Sequence, residues 1–251
     1  SSGGAVAAAA LGMGVLHTGT DAGGSVRIPA SFTGVFSLKP TYGKVPAWPA
    51  SPFGTLSHTG PITRTVRDAA AMLNVMARPD IRDWTALPAD DTNYLEGIEH
   101  GVEGLRIAFS LTLGHVKIVN PEIAELVTGA AQSFEKLGAT VEEVDPDLAD
   151  AESIFRTHWF ASAAAAEKSV PVDKRYLLDQ GLRKIMERGR NVAAADYIEA
   201  ASGRAAIGER MQAFLQDYDL LLTPGQPLPA FKAGIEFPDG FGFERWHEWT
   251  P

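Results

Sequence analysis

Two extended segments with a capped helix between them do most to limit what this chain can fold into. Residues 105–110 and residues 140–144 each read as a strand. Between them Asn120 offers a capping side chain, Pro121 has the fixed φ that suits a first helical turn, and Gly138 can close the helix. Residues 150–218 read mostly as helix, with a polar stretch at 173–190, and residues 219–222 read as a short buried strand entering Thr223-Pro224. Alternating strands and helices bury their apolar faces by stacking in layers. The prediction is an α/β fold, a mixed β-sheet covered by helices on both faces.

The amino-terminal third is organised differently. Residues 3–14 are small and read as a helix that packs closely on a neighbouring backbone. Residues 17–36 are glycine-rich, and residues 35–60, rich in Pro, Gly and Ser, read as a short strand and a long irregular loop. Thr65 and Asp68 form a capping pair for a helix through residue 78, whose positions Val66, Ala69, Ala70, Leu73 and Met76 keep helical spacing until Pro79 stops it. Residues 79–104 mark a candidate subdomain boundary.

Composition excludes several chemistries. The chain has no cysteine, which rules out disulfides, thiolate metal sites and a cysteine nucleophile within it. That absence fits a reducing compartment, so a cytoplasmic location is expected. A net charge of -9 repels nucleic acid and anionic membranes at long range, so neither is an expected partner. No apolar run reaches the length of a membrane span. The six histidines, His17, His58, His100, His115, His158 and His247, show no metal-ligand spacing and read as surface or hydrogen-bonded side chains. Glu142-Glu143 and the group Asp145, Asp147 and Asp150 read as a solvated strand end and loop. Trp48, Phe53, Phe160 and Trp246 are candidates to line an apolar pocket, but each taken alone reads as core or lid packing.

The stretch Gly19-Thr20-Asp21-Ala22-Gly23-Gly24-Ser25-Val26-Arg27-Ile28-Pro29-Ala30 carries the chemistry. Adjacent glycines open backbone conformations closed to other residues and let consecutive N–H groups converge on one point. Such a nest binds an anion or a developing oxyanion. Ser25 follows the glycines directly, and an Asp21–Arg27 ion pair would fix the loop. The segment is neither a G-x-S-x-G elbow nor a Walker loop.

The longer pattern resembles the amidase signature family. It begins with Ser1-Ser2-Gly3-Gly4, continues through residues 19–45 and Gly60-Pro61-Ile62-Thr63-Arg64-Thr65-Val66-Arg67-Asp68, and returns at residues 218–224. The resemblance implies hydrolysis of carboxylic amides by a Ser–Ser–Lys triad, with release of ammonia or an amine and no metal or organic cofactor. It assigns Ser25 as nucleophile and Ser1, 24 positions earlier, as the proton-relay serine, a position held in the family with a cis peptide bond. Ala22, Gly23, Gly24 and Ser25 match the oxyanion hole, and Asp21 and Arg27 match supporting positions. Thr223, at the end of a strand, is a substrate-binding candidate, because ligands in α/β sheets sit at the carboxyl ends of strands.

The resemblance further implies that residues 1–251 are the central part of a single catalytic domain, truncated at both ends, with the triad lysine upstream of Ser1. This chain alone is then expected to be inactive. Lys39 and Lys44 read as structural or solvated lysines. The expected partner is a small-molecule amide, and a homo-oligomer is compatible with the sequence. Two rival readings stay open. One is the A-type subunit of a glutamine-dependent tRNA amidotransferase, against which Ile28 argues, since that branch typically has a polar residue after the signature arginine. The other is a non-catalytic anion-binding module, if no upstream lysine exists.

Overall fold

The structure is a computed structural model that describes residues 1–235 and 237–240. Trp246, His247 and the chain end lie outside the described residues. Two compact units emerge: Ser1–Leu95 with Ser153–Gly203, and Glu96–Glu152 with the chain from Arg204 onward. The first boundary falls inside the loop that the sequence marks out.

The first unit opens with helix α1 (Gly3–Ala10), shorter than predicted because Gly12 and Gly14 both take positive φ. Strand β1 (His17–Asp21) follows, then the short helix α2 (Arg27–Thr33), closed by Gly34 in the left-handed region. Strand β2 (Phe36–Ser37) and strand β3 (His58–Thr63) complete an antiparallel sheet of order β1-β3-β2. Its register sets Asp21 opposite His58 and Gly19 opposite Gly60. Val6 and Ala9 of α1, Val26 and Ile62 form one buried cluster. Helix α3 (Val66–Met76) starts as predicted: Thr65 Oγ1 accepts the Asp68 N–H at 3.1 Å.

The second unit contains strand β4 (Arg106–Phe109), helix α4 (Pro121–Lys136) and strand β5 (Thr140–Glu143). Asn120 Oδ1 accepts the Glu122 N–H at 2.9 Å, and Gly138 has a φ of 93°. The chain returns to the first unit through helix α5 (Ala151–Glu167) and helix α6 (Gln180–Gly189). Helix α7 (Ala194–Phe214) leads out again to strand β6 (Leu220–Leu222). The strands β5-β4-β6 pair in parallel, as strands joined by long helical crossovers must.

The α/β class holds, and among the described residues the strands pair as two groups of three, β1-β3-β2 antiparallel and β5-β4-β6 parallel. One expectation needs correction. Strand β6 is less buried than its Leu-Leu-Leu sequence suggests: among the described residues it lies at the edge of its sheet, and Leu220 is 47% exposed. The acidic residues read as solvated, Glu142, Glu143, Asp145, Asp147 and Asp150, are all exposed, and three of them also have partners. Asp145 accepts hydrogen bonds from the Ser110 and Thr112 hydroxyls, and Asp147 and Asp150 pair with Arg210.

Candidate active site

The loop after β1 is built around one carboxylate. Asp21 is 1% exposed and accepts five hydrogen bonds. Its Oδ1 takes the Gly24 N–H at 2.8 Å and Arg27 Nη2 at 2.9 Å. Its Oδ2 takes the Val26 N–H at 3.1 Å, the Arg27 N–H at 3.3 Å and Arg27 Nε at 3.0 Å. Burial pushes this carboxyl up, but the Arg27 hydrogen bonds and charge, with the Gly24 and Val26 N–H groups, outweigh it and hold its pKa below the ordinary carboxylate value. A chain that folds back on an aspartate within six residues needs a tight turn, and Gly24 supplies it at a φ of 95°.

This geometry places Ser25 at the crest of the loop. Val26 beside it is fully buried in the α1–β3 core, so the chain is anchored one residue past the hydroxyl. The Ser25 carbonyl accepts the Ser2 N–H at 3.0 Å, which ties the start of α1 to the loop and sets Ser1 one residue from that bond. Ser2 is fastened to β1 twice: its Oγ donates to the Thr20 carbonyl at 3.2 Å and accepts the Thr20 N–H at 3.0 Å. A Cβ at Gly19 would lie 2.6 Å from Ser2 Oγ, so this approach requires glycine. Sequence reasoning passed over Ser2, Thr20 and Gly19; the signal was present in the paired serines but has no meaning until the strand is placed.

The Gly24 N–H points at Asp21, so in this state it serves the loop, while Ala22, Gly23 and Ser25 carry the other backbone donors of the predicted nest. Gly23 is close to an aromatic residue that the sequence did not single out. A Cβ at Gly23 would stand 2.7 Å from Phe155 Cζ and 3.4 Å from Trp159 Cζ3. Trp159 stacks on Phe155 at 5.7 Å between ring centroids and meets Phe53 at 4.8 Å.

Lys44 does not have the character of a free base. Lys44 pairs with Asp90 and lies 5.7 Å from the Tyr94 ring centroid. Hydrogen bonds to Asp90 and Tyr94 raise its pKa, the opposite of what a neutral amine needs. Lys39 acts on His58 through its charge. Burial, together with Lys39, lowers the pKa of His58, while the Leu56 and Asp21 carbonyls oppose that shift. The ring gives Nδ1 to the Leu56 carbonyl at 2.7 Å and meets Tyr42 edge-on, so its contacts position it as a strut behind Asp21. His58 also lines a cavity of about 410 Å³ with Tyr42, Trp48, Arg82 and Trp84. His158 is buried against Tyr197, not a surface histidine.

Thr223 is half-buried and follows β6 in the second unit, whereas Ser1, Asp21, Ala22, Gly23, Gly24, Ser25 and Arg27 belong to the first. Among the described residues no group of three or more His, Asp or Glu side chains could hold a metal ion, and no helix is long and apolar enough to cross a membrane.

Known proteins are similar to this chain over most of its length. The Amidase family pattern matches residues 1–247. An acylamidase from Rhodococcus erythropolis is 38% identical over 229 residues, covering 89% of this chain and 47% of that protein. The A-type subunit of the glutamyl-tRNA(Gln) amidotransferase from Rubrobacter xylanophilus is 36% identical, covering 95% of this chain and 55% of the relative. The crystal structure of a bacterial aryl acylamidase of the amidase signature enzymes superposes with a TM-score of 0.86 at 29% identity, covering all of this chain and 55% of that one. The chain thus spans about half the length of the relatives it matches. With its signature loop and its fold both accounted for, the chain belongs to the amidase signature family.

Proposed function

We propose that the protein carrying this chain hydrolyses carboxylic amides through an acyl-enzyme on Ser25. The observation that carries this reading is the closed Asp21 loop, which takes the Gly24, Val26 and Arg27 N–H groups on its own carboxylate and fixes Ser25 between two anchors, the Val26 side chain and the Ser2 N–H. A serine hydroxyl attacks an amide only if its proton is taken and the new oxyanion is held. In this reading Ser25 Oγ bonds to the carbonyl carbon, and the oxygen settles on the Ala22, Gly23 and Ser25 N–H groups. Ser1 passes the proton toward a lysine that precedes it in the whole protein, and returns it to the leaving nitrogen. The amine departs, and water repeats the attack to free the acid and restore Ser25. An amine at ordinary pKa is protonated at neutral pH, so that lysine must be shifted downward by burial or neighbouring charge.

A fluorophosphonate probe tests the assignment. It is expected to label Ser25 and no other serine, and Ser25→Ala is expected to abolish both labelling and amide turnover while the circular dichroism spectrum stays unchanged. Labelling at another serine, with turnover intact in the variant, overturns the reading. The second reading, an amidotransferase A-type subunit, is favoured by the relative from Rubrobacter xylanophilus, at an identity close to that of the acylamidase. The same serine chemistry would then deliver ammonia to a partner protein. Turnover of simple amides by the protein on its own, with no partner retained on affinity capture, separates the hydrolase from the amidotransferase component.

A further inference from the structure

The side chains that crowd Gly23 come from one face of one helix. Phe155, Trp159 and Ala163 are spaced four residues apart on α5, so they line a single stripe. Phe155 is buried with its ring edge against Gly23, and Ala163 sits in a cluster with Ile185 and Met186 of α6. Trp159 lies between them, packed against that cluster, stacked on Phe155 and meeting the Phe53 ring at a tilt of 40°. Phe53 stands at the start of a 3-10 turn (Gly54–Leu56), where Ser51 Oγ accepts its N–H at 3.1 Å. Trp159 and Phe53 both keep part of their surface open to solvent, while Phe155 does not. A rigidly backed aromatic surface therefore begins at the second residue of the oxyanion loop and extends away from it.

Direction follows from the proton's path. The leaving nitrogen must receive its proton from Ser1, on the side of the loop tied to Ser2 through the Ser25 carbonyl. The aromatic surface touches the loop at Gly23 instead. The carbonyl's other substituent, which stays on Ser25 in the acyl-enzyme, is the group that faces Gly23. We propose that Phe53 and Trp159 form the wall of the acyl subsite, and that it selects amides of aromatic carboxylic acids over those of short aliphatic acids. Flat rings bind flat partners by offset stacking as well as by apolar burial, and Phe155 sets the depth of the wall without touching the ligand. This inference rests on Ser25 being the nucleophile.

The test compares benzamide with acetamide on the whole protein carrying this chain, by kcat/KM and by isothermal titration. The expected result is a clear preference for benzamide. Trp159→Ala lowers kcat/KM for benzamide by roughly tenfold or more, the range for a lost apolar contact in a pocket, and lowers that for acetamide by a clearly smaller factor. Trp159→Phe keeps most of the preference. Should Trp159→Ala lower the melting temperature, Phe53→Ala carries the same comparison from a partly exposed turn. Hydrolysis of both amides without preference, or an equal loss on both in the variants, overturns the wall and leaves the hydrolase reading intact. Tighter binding of benzamide, lost in Trp159→Ala but without turnover of either amide, leaves Phe53 and Trp159 as an aromatic binding surface and overturns their role as an acyl subsite together with the hydrolase reading. Neither binding nor turnover overturns both.

Discussion

At the scale of single residues, the site depends on two different kinds of group. In the proposed mechanism Ser1 and Ser25 are ordinary hydroxyls whose chemistry would come only from position. If Ser1 relays the proton, Ser1→Ala should cut turnover by roughly 10²-fold, the typical worth of a general acid–base group, with a smaller change in KM. An unchanged rate would reduce Ser1 to the residue before a helix. Asp21 works through charge instead. Its pKa in the folded protein lies below the ordinary value, so its contribution to stability is fully present above about pH 4 and is lost as the pH falls through the folded value. Asp21→Asn should remove that acid limb: the melting temperature of the variant should vary less than wild type between neutral and acidic pH, and should be lower at neutral pH. An unaltered acid limb would show that the loop's stability does not run through this carboxylate. The sequence made Asp21 and Arg27 legible as partners, because they flank the glycines. It could not show that Asp21 also takes three backbone N–H groups, since that depends on the turn at Gly24.

Secondary-structure elements explain why the loop stays closed. β3 backs β1 along its whole length, and their contact includes Gly60, across from Gly19. A Cβ at Gly60 would stand 1.9 Å from the Leu38 carbonyl oxygen, a backbone atom that cannot swing away. Gly60→Ala should therefore cost about 3 kcal/mol in urea unfolding, the upper range for forcing an extra methyl into a packed site. It should also reduce turnover, because β3 carries His58 behind Asp21. A loss well under 1 kcal/mol would mean that this stretch opens easily. Helices with capping chemistry were readable in advance: Thr65–Asp68, Asn120 with Pro121, and Gly138 all mark ends the structure adopts. The strands β1 and β3 were not, because their residues, rich in Gly, Thr and His, show no two-residue hydrophobic alternation. Their pairing comes from the tertiary core under α1.

For the whole molecule, the decisive question is where the base resides. Lys44 is held protonated by its partners, and His58 supports the Asp21 loop. The proposal of an upstream lysine predicts a turnover rate that rises with pH as that amine loses its proton. A pH–rate profile of the whole protein checks it. Replacing that lysine with Ala should flatten the rise and cost far more than Lys39→Ala, while Lys44→Ala should leave the profile in place. Full activity from the isolated 251-residue chain would put the base inside it and return attention to Lys39 and the histidines.

The sequence by itself determined the class of fold, the capped helix ends and the loop proposed to be reactive, because capping, glycine spacing and the order of a long signature act over a few residues. Tertiary structure alone decided the rest. It split the strands into an antiparallel and a parallel sheet, since pairing is chosen by which edges the packed helices bring together. It also brought α5, about 130 positions away in the chain, against Gly23. Nothing local marks Phe155 or Trp159 as neighbours of Gly23; a contact between distant segments is fixed by how their faces bury, and that is decided only when the whole unit packs.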